Sequence, residues 1–431
     1  MNILIIGGGG REHAIAWSLS KDPRVQKIWC APGNGGIAQI AECLPIKATD
    51  LDAILAFCAE KRPDLVVVAP DDPLALGLVD RLESIGIRAF GPRQNAAAIE
   101  SSKSFAKDLM HRYGIPTAKY RVFDNPEEAC AYIRAEGAPI VVKADGLALG
   151  KGVTVAQTVD EALAAVENAL SGHAFGKAGD RVVIEECLTG PEVSVLCFTD
   201  GETVCPMVSA QDHKRAHDHD QGPNTGGMGS VSPNRHYTPE IAARCMKEIF
   251  QPTVDAMRAE GRLFQGVLYF GLMLTPDGPK VIEYNARFGD PETQSVLPLL
   301  ETSLLDIMNA VIDRRLASLS IRWADACTAC VVLASGGYPG KYLTGYEITG
   351  LDAAKAAGAL VFHAGTKLEG DRLLTAGGRV LGITARGATP DEALQNAYPH
   401  YPSKIANTLT RPLSKMSFCC SVKPSQLWWG L

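Results

Sequence analysis

The sequence predicts a multidomain α/β and α+β protein, with an N-terminal doubly wound parallel sheet, a central mixed unit and a C-terminal unit that is mostly β. Three observations carry this. Short apolar runs alternate with helical patterns up to about residue 101, strand-like runs recur between 140 and 285, and beyond Leu316 brief apolar runs are separated by glycine-rich turns. The length of 431 residues, 46% of them hydrophobic, is ample for several cores.

In the first unit, residues 3–6 read as a strand, a glycine turn follows, a helical pattern runs through Leu19, and 28–30 read as the next strand. Runs at 65–69 and 87–90, each preceded by a helical pattern, continue the sheet and close the unit near residue 101. The second unit, 102–325, has strands predicted at 140–143, 153–155, 182–184, 192–198, 204–208, 266–274 and 279–282, with helices over about 238–260 and 303–316. A third unit, 326–398, has strands predicted at 329–333, 346–348, 360–363 and 379–383. Residues 399–431, ending near Trp428 and Trp429, lack a sustained period and form an atypical tail.

The net charge of −6 is dispersed and offers neither a nucleic-acid footprint nor a polybasic membrane patch. The first residues run straight into glycines and no apolar span has transmembrane length, so a cytoplasmic location is expected. The 12 cysteines lie scattered through apolar runs, which suits reduced, buried thiols.

Chemistry concentrates in four places. Glu283, Asn285 and Arg287 fall on one face of a strand end. A carboxylate and an amide oxygen there suit Mg²⁺, which keeps part of its shell for phosphate and water, while a salt-bridged acid at a strand end is the competing explanation. The turn Gly7-Gly-Gly-Gly-Arg-Glu-His13 lies between strand and helix, where backbone amides can hold a phosphate. It fails the Gly-x-Gly-x-x-Gly spacing, and no ribose-binding acid follows the second strand, so a nucleotide-binding dehydrogenase is disfavoured. Lys143, closing an apolar strand, must meet an anion, either a phosphate or a buried acid. Just beyond it, Gly146, Gly150 and Gly152 flank Lys151 in a pattern suited to a mobile loop over a triphosphate. Finally, residues 211–229 read as a long polar loop covering a substrate, with His213, His217 and His219 among acids but no zinc signature.

Taken in order, Gly7 to His13, Pro32-Gly-Asn34, Ser102-Lys-Ser-Phe105, Lys143-Ala-Asp-Gly146 with Gly150-Lys-Gly152, the Gln211 to Gly229 segment and Arg287-Phe-Gly-Asp-Pro-Glu292 resemble the ATP-grasp superfamily and, closely, its phosphoribosylamine-glycine ligase family, over about residues 1–397. The resemblance implies a central ATP-grasp unit with a lid at about 120–190. It implies ATP-dependent ligation of glycine to 5-phosphoribosylamine through glycyl phosphate, in purine biosynthesis, with Mg²⁺ or Mn²⁺ and small-molecule partners, and leaves the oligomeric state open. Another ATP-grasp carboxylate-amine ligase is the alternative.

By the same resemblance, Lys103, Lys143, Gly150, Lys151 and Gly152 meet the nucleotide phosphates, and Glu185, Glu186, Leu188 and Glu192 frame the nucleoside. Glu283 and Asn285 hold the metal, Arg287, Asp212 and Lys214 serve the chemistry, and Asp212 also takes the glycine ammonium. Gly9, Gly10, Asn34, Asp71, Asp290, Lys341 and Arg379 are implied around the sugar phosphate. The chain departs from the family at Asp71, where a longer glutamate is usual, and after Tyr398, where the family's usual ending is not recognisable.

Overall fold

The structure, a computed structural model, describes residues 1–148, 152–172, 175–217 and 221–398. The first sheet is wholly parallel, in the order Glu42–Cys43, Lys27–Pro32, Asn2–Gly7, Leu65–Val68, Ala89–Phe90. Ile3, Leu4, Ile5 and Ile6 are all buried, because helices and the neighbouring sheet cover both faces of the central strand. Ile3 and Ile5 enter one core with Phe198 and Met308, whereas Leu4 and Ile6 enter another with Val193 and Phe270. The N-terminal unit and the central sheet therefore share their cores.

That central sheet is antiparallel: Val204–Pro206, Glu192–Thr199, Gly266–Thr275, Gly278–Asn285. A second antiparallel sheet, Tyr120–Phe123, Val182–Glu186, Ile140–Ala144, Val153–Ala156, has a core of its own around Ile133, Val142, Val166 and Ile184. The expected helix over 238–260 is one helical run, capped by Thr238, with a π turn at Met246–Phe250 ahead of Pro252. Proline has no N–H to give an i−4 carbonyl, so the local ladder is displaced there.

Two expectations are corrected. The polar stretch 211–229 is not simply a loop: Arg215–His217 pairs with Gln221–Asn224, and Gln211–Asp212 and Gly229–Ser232 join the C-terminal sheet. That sheet runs Gln211–Asp212, Gly229–Ser232, Cys327–Ala334, Arg379–Gly387, Leu360–His363, so two strands of the second unit join three of the third. Residues 346–348 contribute only an isolated bridge between Glu347 and Leu374. The tail 399–431 lies outside the described residues, as do Gly150 and Lys151 of the glycine loop and His219. Among the described residues, no helix is long and apolar enough to cross a membrane.

Candidate active site

The strand Gly278–Asn285 ends with Glu283 and Asn285 at the meeting place of the three sheets. Lys214 Nζ lies 3.4 Å from Glu283 Oε1, and also 3.4 Å from Glu192 Oε2. Lys214 is the largest influence on Glu283 and, with Lys143, Lys103 and Arg287 overcoming burial, holds its carboxyl down at about 2. Arg287 Nη2 donates to Asn285 Oδ1 at 2.9 Å and lies 2.9 Å from Glu100 Oε1, while Glu100 Oε2 accepts from the Ala286 amide. Burial disfavours the Arg287 charge, but Glu100 and Asp71 outweigh it and keep the guanidinium firmly charged. Asp71 thus faces the site at the start of the helix Asp71–Ala75.

Lys103, at the start of the helix Lys103–Arg112, donates to the Gly146 carbonyl at 2.9 Å. Lys143 has found a buried acid: its Nζ is 2.9 Å from Glu185 Oε1 and donates to the Ile282 carbonyl at 2.9 Å. Glu185 Oε1 nonetheless has no aligned hydrogen-bond donor. Glu186 is exposed and accepts from the Lys119 amide, Leu188 is half-buried and Glu192 is exposed, all along the end of Val182–Glu186 and the segment beyond it. Gly152 accepts from the Ala144 amide, which closes the base of the glycine loop.

Asp212 has the opposite character. Burial first, then Glu292, push its carboxyl well above the ordinary range despite Lys214 and Arg379, and its Oδ1 has no partner. Glu292 is itself buried and accepts from Ser194 Oγ at 3.2 Å. Gly227 adjoins this pocket with φ +105, and a Cβ there would lie 2.7 Å from Asp212 Oδ1. Glycine is required both for that backbone conformation and for the close approach.

Asp290 Oδ2 accepts weakly from the Arg11 amide at 3.3 Å, and Asp290 Oδ1 lies 3.3 Å from Arg379 Nη1. Burial would raise the Asp290 carboxyl, but Arg379 and Arg11 prevail and hold it below its ordinary value. Gly9, Gly10, Asp290 and Arg379 are therefore neighbours, although the Gly9 amide is already donated to Glu12 Oε2 at 2.6 Å. Lys341 stands apart, exposed on the loop that carries Tyr338.

Asn34 is committed to internal bonds rather than free for a sugar phosphate. Its Oδ1 accepts from the Gly36 and Ile37 amides, and its Nδ2 lies within donating distance of the Gly8, Gly9 and His363 carbonyls. It clasps the glycine turn to the C-terminal sheet. Asn34→Ala should lower stability by about 2 kcal/mol, because several buried groups lose their partner. Urea unfolding checks this, and an unchanged midpoint would show that these bonds do not hold the turn to the sheet.

The residues around Glu283 fit a hard divalent cation. Glu283 is ionised, Asn285 Oδ1 retains a second lone pair, and both oxygens project from one strand end among groups suited to phosphate. Sequence reasoning missed Glu100, Lys107 and Glu12 as the charged neighbours that hold Arg287, Glu185 and the Gly9 amide. The available signals were polar residues at helical spacing from Lys103 and an acid three residues after Gly9, each of them short-range.

Three domain models, curated relatives and a solved structure show what the chain is similar to. Residues 1–100 match the phosphoribosylglycinamide synthetase N domain, 101–293 its ATP-grasp (A) domain and 328–410 its C domain. Phosphoribosylamine–glycine ligase of Mesorhizobium japonicum is 51% identical over 398 residues, covering 92% of this chain and 93% of that protein. The enzyme of Vibrio cholerae is 50% identical over 401 residues, covering 92% and 94%. The crystal structure of phosphoribosylamine–glycine ligase from Thermotoga maritima superposes with a TM-score of 0.81 at 34% identity, covering 93% of this chain and 96% of that one. A shared set of three domains, half the residues in common and one architecture over nearly the whole length place this chain in the phosphoribosylglycinamide synthetase family of ATP-grasp ligases.

Proposed function

We propose that this chain joins glycine to 5-phosphoribosylamine at the expense of ATP, giving glycinamide ribonucleotide, ADP and phosphate in purine biosynthesis. The observation that carries this reading is the adjacency of two opposite electrostatic sites. Lys103, Lys143, Lys214 and Arg287 gather around Glu283, while Asp212 and Glu292 form a buried acidic pocket with an unpartnered oxygen beside Lys214. The first suits a triphosphate and the second suits an ammonium.

With the glycine ammonium against Asp212, the glycine carboxylate points towards the cationic cluster. One carboxylate oxygen attacks the γ-phosphoryl group, the bond to ADP breaks, and glycyl phosphate forms. The phosphoribosylamine nitrogen then attacks the glycyl carbon, phosphate leaves and the nitrogen loses a proton. Lys103, Lys143 and Arg287 stabilise the charge spread over the transferred phosphoryl group, chiefly by position. Glu283 and Asn285 would hold Mg²⁺ or Mn²⁺, which neutralises phosphate charge when bound.

Release of ADP from ATP, followed with each substrate omitted in turn, tests the reading. ADP should accumulate in stoichiometric amounts only when glycine and phosphoribosylamine are both present. Full turnover with another amine acceptor, or with no dependence on glycine, would replace it with a different carboxylate-amine ligase.

A further inference from the structure

Behind Lys143 lies a second lysine that the proposed chemistry does not use. Lys107 is 2% exposed, its Nζ is 2.8 Å from Glu185 Oε2, and it donates to Thr117 Oγ1 at 2.8 Å. Thr117 in turn donates to the Val281 carbonyl at 2.7 Å, while Lys143 donates to the next carbonyl, Ile282. The result is a closed ring, Lys107 to Thr117, to consecutive carbonyls just before Glu283, to Lys143, and through Glu185 back to Lys107.

The two lysines are not equivalent in this ring. Lys143 contacts Glu185 Oε1 and the Ile282 carbonyl next to Glu283, and its charge lowers the Glu283 carboxyl, whereas Lys107 contacts the other oxygen, Oε2, and reaches the Val281 carbonyl only through Thr117, one residue further from Glu283. Two ammoniums share one buried carboxylate, which leaves one unit of positive charge in a dry setting. Burial pushes Lys107 down to about 8 against the pull of Glu185, so it is still charged at neutral pH.

From this geometry we infer that Lys107 is a positioning residue: it is the standing counter-charge of Glu185, and it allows Lys143 to leave that carboxylate for the nucleotide phosphate. The inference rests on the proposed contact between Lys143 and ATP. With Lys107 in place, transfer of Lys143 to phosphate leaves a balanced Lys107–Glu185 pair. Without it, Lys143 is the only counter-ion of Glu185 among the described residues, and ATP must break a buried ion pair and leave a bare carboxylate, which is strongly unfavourable.

The test compares Lys107→Met, Lys107→Met with Glu185→Gln, Glu185→Gln alone, Thr117→Val and Lys143→Met, measuring KM for ATP and for glycine, kcat, and equilibrium ATP binding. Lys107→Met should raise the KM for ATP about tenfold or more, with kcat within about threefold of wild type and the glycine KM unchanged. The double variant should return the KM for ATP to within about threefold of that of Glu185→Gln alone, since the bare carboxylate is gone. Thr117→Val, which keeps every charge and removes one anchor of Lys107, should raise the KM for ATP about threefold and guards against failure of Lys107→Met to fold. An unaltered KM for ATP in Lys107→Met, or no recovery in the double variant, overturns the inference. Unchanged ATP binding in Lys143→Met would instead overturn the Lys143–phosphate contact on which it rests.

Discussion

Glu283→Gln should lower turnover at least about a hundredfold, equivalent to about 2.7 kcal/mol of barrier, while the protein stays folded. The change preserves size and an oxygen donor but removes the charge on which Lys214, Lys143, Lys103 and Arg287 converge. Its ion pair with Lys214 is 3.4 Å long and about a third exposed on each side, so it contributes at most about 1 kcal/mol to stability. The two magnitudes therefore separate a catalytic acid from a structural one. Glycine-dependent ADP release measured beside thermal unfolding decides between them, and near-normal turnover of the folded fraction would refute the assignment.

The pH dependence supplies a second readout on the same variant. Because the folded carboxyl is held at about 2, against 4.5 unperturbed, its contribution to stability is present above about pH 4.5 and is lost as pH falls towards 2. The gap in melting temperature between wild type and Glu283→Gln should close over that window. A gap independent of pH would mean that the carboxylate's charge does not stabilise the unliganded fold.

Asp212→Asn should reduce kcat/KM for glycine about a hundredfold and leave the KM for ATP unchanged, since a buried ammonium loses its charged partner. Stability should move the other way. Burial and Glu292 hold the Asp212 carboxyl up despite Lys214 and Arg379, and its Oδ1 has no donor, so ionising Asp212 beside Glu292 costs the fold stability. With a raised folded pKa, the wild type loses stability as pH rises out of the carboxylate range, and the neutral variant lacks that fall. Its melting temperature at neutral pH should therefore rise. A purely structural aspartate would show a lower melting temperature with an unchanged glycine KM, and calorimetry with glycine titration distinguishes the outcomes.

Much of the fold was legible because its signals are local. The run from Asn2 to Gly7 is apolar on both faces, as a central parallel strand must be, and the strand Ile140–Ala144 carries a buried lysine one residue before its end that had to meet an anion. The helical stretches from 238 and from 303 were legible, and in the structure Thr238 and Ser303 cap them, while the Glu283-to-Glu292 segment stood out by its dense oxygen and arginine content. The strands within 211–232 were hidden because glycine, histidine and acids mask their alternation. Arg215–His217 and Gln221–Asn224 acquire strand character from each other, Gln211–Asp212 from Gly229–Ser232, and Gly229–Ser232 in turn from Cys327–Ala334, about a hundred residues further on.

The sequence by itself determined the order of elements, the motifs of an ATP-grasp ligase and the identity of the charged groups, all of which depend on residue type and short spacing. Only the tertiary structure decided who partners whom. It committed Asn34 to backbone clasping, paired Lys143 with the buried Glu185, set Lys107 on the other oxygen of that carboxylate, and left Asp212 Oδ1 without a donor. The physical reason is that a buried charge takes its role from the few groups within about 3 Å and from the water it has lost, and folding draws those groups from distant parts of the chain.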